Sequence, residues 1–112
     1  MATVINHHTL QMELDFEADA GRRARQEWQI ALDQDLRALQ DYVYEHQYIV
    51  WQPGERRRGA KAQEVHLTTH EACTCSRFKL RGSCQHIAFV RKLEETGTLP
   101  DTKTPVAAKE IQ

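Results

Sequence analysis

Residues 73–86 read CTCSRFKLRGSCQH, and this stretch decides how the C-terminal half of the chain folds. It holds all three cysteines of the 112-residue chain and a histidine two positions after the last of them. Three thiols and one imidazole complete the tetrahedral shell of a zinc ion. A disulfide fits less well, because the cysteine count is odd and the first two are too close for an ordinary bridge. We therefore predict one structural zinc ion per chain, held by Cys73, Cys75, Cys84 and His86.

The predicted site gives no reason to expect catalysis. A zinc ion with four protein ligands has no open position for a water molecule, so the site is structural and not hydrolytic. The sequence also lacks the GxSxG, Walker A and HExxH motifs. We expect that the chain is not an enzyme and has no small-molecule substrate.

Two short segments before the cysteines have the composition of β-strands. Residues 48–51 are aromatic or β-branched and are followed by Pro53-Gly54, while Val65 and Leu67 alternate with polar residues. These features predict a hairpin whose connection runs over residues 53–62. The histidines nearby, His66 and His70, are interpreted as surface residues, with a supporting role beside the metal as the alternative.

A short helix is predicted directly after the ligands. Ile87, Val90 and Leu93 recur at helical spacing, which indicates a helix over about residues 84–95. Ser83 is the expected N-cap, and Gly97 is placed to end the helix.

The N-terminal half predicts one strand and one long helix. Apolar and polar residues alternate over about residues 9–16, which is typical of a half-buried strand. From residue 28 onward, apolar residues recur at intervals of three and four, namely Trp28, Leu32, Leu36, Leu39 and Val43. This stripe predicts a helix over about 19–45, capped by Asp19. We expect the stripe to pack on the sheet face that bears Tyr48 or Val50.

Together these elements predict an α+β fold. A long N-terminal helix would pack on a small antiparallel β-hairpin or sheet, followed by a zinc knuckle and a short C-terminal helix. We divide the chain into an N-terminal strand and amphipathic helix at 1–45, a zinc-finger module at 46–97 and a flexible C-terminal tail at 98–112.

The pattern of residues 46–95 resembles the SWIM-type zinc finger, in which Cys-x-Cys is followed after a variable gap by Cys-x-His. The likeness extends to Phe78 after the first ligand pair, to Gly82 before the second, and to the apolar helix that begins at Ile87. Ser83 departs from the pattern, because many members have proline there. The resemblance implies a structural zinc ion and binding to nucleic acid, DNA rather than RNA. Residues 1–45 resemble no family.

An iron–sulfur cluster is the alternative metal site. Some [2Fe–2S] proteins have Cys-x-Cys, eight intervening residues, then a cysteine and a histidine four residues after it. The eight-residue gap is present here, but the fourth position after Cys84 is Ala88, and the histidine comes two residues after.

Charge is unevenly distributed along the chain, although its net charge is only −1. Residues 1–50 carry nine acidic residues and four arginines, whereas residues 51–99 carry nine basic and five acidic residues. Basic residues that flank the zinc knuckle predict a surface for phosphate contacts. Its candidate residues are Arg56, Arg57, Arg58, Lys61, Arg77, Lys79 and Arg81.

A protein partner is the second functional hypothesis. The acidic N-terminal half would repel DNA, so its helix would point away from nucleic acid or bind a basic protein. The chain would then be an interaction adaptor in which zinc is purely structural. The sequence has no apolar run that could span a membrane and no signal-peptide pattern, so we expect an intracellular protein, cytoplasmic or nuclear, with no membrane partner.

Overall fold

The computed structural model describes residues 7–54 and 64–111, with side chains described from Ala20 onward. Within these ranges, the helices are α1 (His7–Asp33), α2 (Ser76–Arg81), α3 (Gln85–Thr96) and a 3-10 turn (Ala108–Glu110). The strands are β1 (Arg37–Gln40), β2 (Tyr48–Trp51), β3 (Val65–Thr68) and β4 (Val106–Ala107). The strands form one antiparallel sheet in the order β3-β2-β1-β4, so the predicted α+β fold is confirmed.

The predicted N-terminal strand is wrong, because residues 9–16 lie within α1. Alternation of apolar residues was the only signal for a strand there. The segment is composed largely of leucine, methionine, glutamine and glutamate, which are strong helix formers. Helix propensity therefore prevails over the short alternating pattern.

The helix also ends twelve residues before the predicted boundary at 45, at Asp33. Asp35 adopts a left-handed conformation with φ 49°, and its backbone N–H donates to the carbonyl of Leu32. The N–H of Leu36 donates to the carbonyl of Ala31. These two bonds make the Schellman motif that ends many helices, with Leu36 and Ala31 both buried beneath it.

Residues after this turn form a strand rather than further helix. β1 pairs with β2, with Ala38 opposite Val50 and Leu39 opposite Ile49. The connection over residues 41–47 carries Val43, which is 63% exposed and therefore lies outside the core to which the apolar stripe assigned it. Trp28 and Leu32 do pack against the cluster that contains Tyr48 and Val50, so the first part of the stripe faces the core as expected.

The predicted hairpin of β2 and β3 is confirmed, with Tyr48 opposite Thr68 and Trp51 opposite Val65. The C-terminal segment contradicts the flexible tail predicted for 98–112. Residues 106–107 form β4 on the outer edge of β1, and Ala108 and Ile111 are buried in the core. The apolar residues of this segment cover the end of α1, which favours an ordered edge over a solvated tail.

The main core lies between the helices and one face of the sheet. Phe89, Val90 and Leu93 of α3 are fully buried against Leu36 and Val50. The expected end of α3 is confirmed, because Gly97 caps it with φ 69°, but the N-cap is Cys84 and not Ser83. The sheet therefore joins strands from all three predicted segments of the chain, and α3 is anchored directly beneath the cysteines.

Candidate metal centre

The structure brings the four predicted ligands together. The sulfur atoms of Cys73, Cys75 and Cys84 and a ring nitrogen of His86 all lie within 4.8 Å of one another, and all four residues are buried. They come from three places in the chain, a turn after β3, the start of α2 and the start of α3. The fold thus collects donors of the type and number that a tetrahedral metal ion requires.

The spacing of the donors fits a single ion. Cys73 Sγ lies 3.6 Å from His86 Nδ1. In a tetrahedral zinc shell with Zn–S of about 2.3 Å and Zn–N of about 2.1 Å, a sulfur and a nitrogen lie about 3.6 Å apart. The pair therefore already has the separation that shared coordination of one ion would give it.

A tight turn positions Cys73 and directs the chain into the site. Thr68 and Cys73 form a β-bridge across residues 69–72, and the N–H of Thr69 donates to the carbonyl of Ala72 at 2.8 Å. The Thr69 hydroxyl oxygen accepts a hydrogen bond from the N–H of Ala72 at 3.0 Å. The Thr74 hydroxyl oxygen accepts from the N–H of Leu67 at 3.1 Å, which fastens the residue between the first two ligands to β3.

Helix caps position the other two cysteines. Cys75 is the N-cap of α2, and its sulfur accepts a hydrogen bond from the N–H of Phe78 at 3.4 Å. Gly82 ends α2 with φ 73°, a left-handed conformation in which glycine carries no steric penalty. This reversal returns the chain to Cys84, the N-cap of α3, and places His86 in the first turn of that helix.

Electrostatics in the cluster favour one thiolate and resist more. Hydrogen bonds from Cys84, His86 and Thr68 lower the pKa of Cys73 to about 3, although burial opposes the shift. Hydrogen bonding to Cys73 and burial raise the pKa of Cys84, and burial raises the pKa of Cys75. Further ionisation of the cluster therefore needs a compensating positive charge, which a divalent metal ion supplies.

Two residues beside the ligands carry roles that sequence reasoning missed. The Thr68 hydroxyl lies 3.3 Å from Cys73 Sγ and is fully buried. The ring of His66 packs against that of His86 with 4.4 Å between centroids. Burial, followed by the charge of His86, lowers the pKa of His66 and favours its neutral form. Both side chains face inward from β3, whereas Val65 and Leu67 are exposed, so the interpretation of His66 as a surface residue is corrected.

The structure separates the proposed phosphate-contacting residues into three groups. Lys79 and Arg81 are exposed on α2. Arg77 instead binds Glu27 of α1, with its Nε and Nη2 atoms 3.1 and 2.9 Å from one carboxylate oxygen. The remaining candidates lie outside the described residues, namely Arg56, Arg57, Arg58 and Lys61. Phe78, which lies among the described basic residues, packs against the cysteine cluster.

The chain matches no protein-family model, and neither curated proteins nor solved structures give a significant match to it. The helices that the structure describes include none with the length and apolar character needed to cross a bilayer. The site therefore has to be interpreted from its own geometry and chemistry.

Proposed function

We propose that this chain is a SWIM-type zinc finger that binds nucleic acid, DNA in preference to RNA, around one structural zinc ion. The observation that carries the proposal is the position of α2. It connects the two ligand pairs, so a bound metal fixes both of its ends, and it presents Lys79 and Arg81 to solvent. Basic side chains on a rigid, metal-anchored helix suit phosphate contacts.

Zinc is the metal that the donor set fits best. Three sulfurs and one imidazole nitrogen in a closed, buried tetrad are the ligands of structural zinc sites. An iron–sulfur cluster with its histidine four residues after Cys84 would need a ligand at Ala88, which has none to offer. Four protein donors also fill the shell of a tetrahedral ion, which supports a binding module over an enzyme.

A salt titration tests nucleic-acid binding. Labelled duplex DNA, single-stranded DNA and RNA are titrated with the zinc-loaded chain at several salt concentrations. We expect binding whose log affinity falls linearly with log salt, by about 0.9 per phosphate contact on duplex DNA. Lys79→Ala should flatten that slope by about one contact, whereas Lys103→Ala, an exposed lysine in the turn before β4, should not. No binding at low salt with the metal in place would contradict the proposal.

A protein–protein adaptor is the second candidate. The sequence assigns that role to the acidic N-terminal helix, and a separate feature of the structure favours it. Tyr42, Val43 and Tyr44 are 82%, 63% and 64% exposed at the tip of the β1–β2 connection. Aromatic residues of this kind are enriched at protein interfaces. Retention of a partner by the wild-type chain, and its loss with Tyr42→Ser and Tyr44→Ser, would favour the adaptor.

A further inference from the structure

A groove of about 430 Å³ lies between α1 and the corner where α2 meets α3. Its floor is apolar and made largely of small residues, with Ala24 and Trp28 from α1 and Ile87 and Ala88 from α3. One wall consists of residues 81–84, which end at the metal ligand Cys84. A bound metal ion would therefore fix that wall.

The rim of the groove is basic. Five cationic side chains line it, namely Arg23, Arg25, Arg81, Arg91 and Lys92. Two carboxylates also line it, and both have cationic neighbours, because Arg77 binds Glu27 and Lys92 Nζ lies 3.8 Å from Glu95.

Three of the rim arginines are available to a ligand. Arg23, Arg25 and Arg81 are exposed, and none forms a salt bridge within the described part of the chain. They come from two helices, α1 and the end of α2, which face each other across the groove. The groove therefore offers a concentration of positive charge around an apolar slot.

We propose that this groove binds single-stranded nucleic acid, with one unstacked base in the slot and adjoining phosphates on the arginine rim. The inference rests on the nucleic-acid binding proposed above and narrows it to single strands. Proteins that bind single strands combine a basic groove with apolar or aromatic surface for the base faces. Duplex DNA keeps its bases stacked inside a convex backbone, so a concave slot between two helices suits it poorly.

The size and chemistry of the groove favour a base over a peptide. Pockets that bury small ligands have volumes of about 300–1,000 Å³, and this groove lies within that range. Ala24 and Ala88 leave a narrow slot rather than a series of pockets for anchoring side chains. Four of the five cations are arginines, whose planar guanidinium groups bind phosphate in a bidentate manner and stack on bases.

Trp28 provides a built-in reporter of occupancy. Its ring packs 6.4 Å from Phe89 between centroids, and Lys92 Nζ lies 5.8 Å from its centroid. The chain has two tryptophans, so Trp51→Phe leaves Trp28 as the sole fluorophore. A base entering the slot should change the emission of this residue.

The first test compares oligo-dT with a duplex of the same length. We expect the zinc-loaded chain to bind the single strand more tightly. Arg23→Ala with Arg25→Ala should flatten the log affinity against log salt by about 1.4, which is 0.7 for each of two lost phosphate contacts on a single strand. The matched control is Lys103→Ala with Lys109→Ala, which removes two exposed charges away from the groove.

The second test fills the slot without changing charge. Ala24 is exposed on α1, and Ala24→Leu introduces a strong helix former there, so the fold should be retained. We expect this variant to bind oligo-dT about tenfold or more weakly and, in the Trp51→Phe background, to lose the change in Trp28 emission. Zinc content and thermal unfolding should match those of the parent.

The outcomes separate this inference from the proposed function. If the wild type binds nucleic acid but the groove variants bind like the control, or if duplex is preferred, the groove assignment is wrong and the broader function stands. If zinc-loaded wild type binds no nucleic acid, the proposed function itself fails. If poly-glutamate binds more tightly than oligo-dT and depends on the same residues, the groove is a peptide site and the inference is overturned.

Discussion

Glu27 on α1 binds Arg77 on α2 through a single carboxylate oxygen, which lies 3.1 Å from the arginine Nε and 2.9 Å from its Nη2. Glu27 is only 5% exposed, so the pair lies at the interface between the N-terminal helix and the segment that separates the two ligand pairs. The sequence assigned Arg77 to nucleic acid, whereas the structure gives it an internal partner. The pair thus couples the first helix of the chain to the metal module.

Arg77→Ala should destabilise the fold, because it leaves the Glu27 carboxylate buried without its cation. We expect a loss of about 2 kcal/mol, less than for a fully buried pair because a third of the Arg77 side chain is exposed. Urea unfolding of the zinc-loaded protein measures it. In the double variant with Glu27→Ala, the loss should be smaller than the sum of the single losses. Unchanged stability of Arg77→Ala would contradict this role.

Cys84→Ser should release the metal and loosen the finger. Serine offers a hydroxyl in place of the thiolate, and the free energy of metal binding is free energy of folding for the segment that it closes. We expect faster amide exchange and proteolysis across residues 65–95, with elemental analysis reporting the lost metal. Ser83→Ala, one position before the ligand, is the control and should keep both metal and protection. A Cys84→Ser variant with full metal occupancy would refute the ligand assignment.

Thr68→Val should weaken metal binding while leaving all four ligands in place. The substitution keeps the shape of the side chain but removes the buried hydroxyl that lies 3.3 Å from Cys73 Sγ. Loss of a partner that supports a ligand typically lowers metal affinity by about 10- to 100-fold. Competition with a chelator measures the affinity, and Thr102→Val, at an exposed position far along the chain, should leave it unchanged. Equal affinities for the two variants would show that this hydroxyl does not support the site.

Two glycine-to-alanine substitutions should have opposite effects. Gly82 has φ 73° and open space around its Cα, so Gly82→Ala isolates the cost of the left-handed conformation, about 1–2 kcal/mol. Gly21 lies inside α1 with only an ordinary contact to Arg25, so Gly21→Ala should stabilise the protein by about 0.5–1 kcal/mol. Thermal unfolding of the zinc-loaded variants checks both signs. Two shifts in the same direction would contradict the assignment of Gly82 as the required reversal.

The metal ligands could be predicted from the sequence because their signal is chemical and local. Only three cysteines exist, all within twelve residues, and His86 follows the last at short spacing. The structure assembles all four donors. What the sequence could not supply is the charge balance among the thiols, because it depends on hydrogen bonds from Thr68 and His86 that form only in the folded state.

The end of α1 could not be predicted because its signal is conformational. Leu36, Leu39 and Val43 continue the helical spacing of Trp28 and Leu32, and no glycine or proline interrupts them. Asp35 nevertheless adopts φ 49°, a conformation that aspartate tolerates better than most residues. The apolar residues after it serve a buried turn, a strand and an exposed loop instead of one helical face.

The face of β3 that points inward was also hidden from pattern reasoning. Hydrophobic alternation favours burial of Val65 and Leu67, but His66 and Thr68 face the helices instead. The metal cluster explains the exception, since Thr68 contacts Cys73 and His66 packs on His86. A strand beside a metal site can bury polar residues because the ligands provide them with partners.

The central claim is that Cys73, Cys75, Cys84 and His86 hold one zinc ion, and native mass spectrometry combined with elemental analysis tests it most directly. The protein is purified without chelator and compared with a sample denatured in acid. We expect one zinc per folded chain, with the added mass lost on unfolding, and no iron or acid-labile sulfide. A folded chain that carries no metal, or one that carries iron with sulfide, would contradict the account.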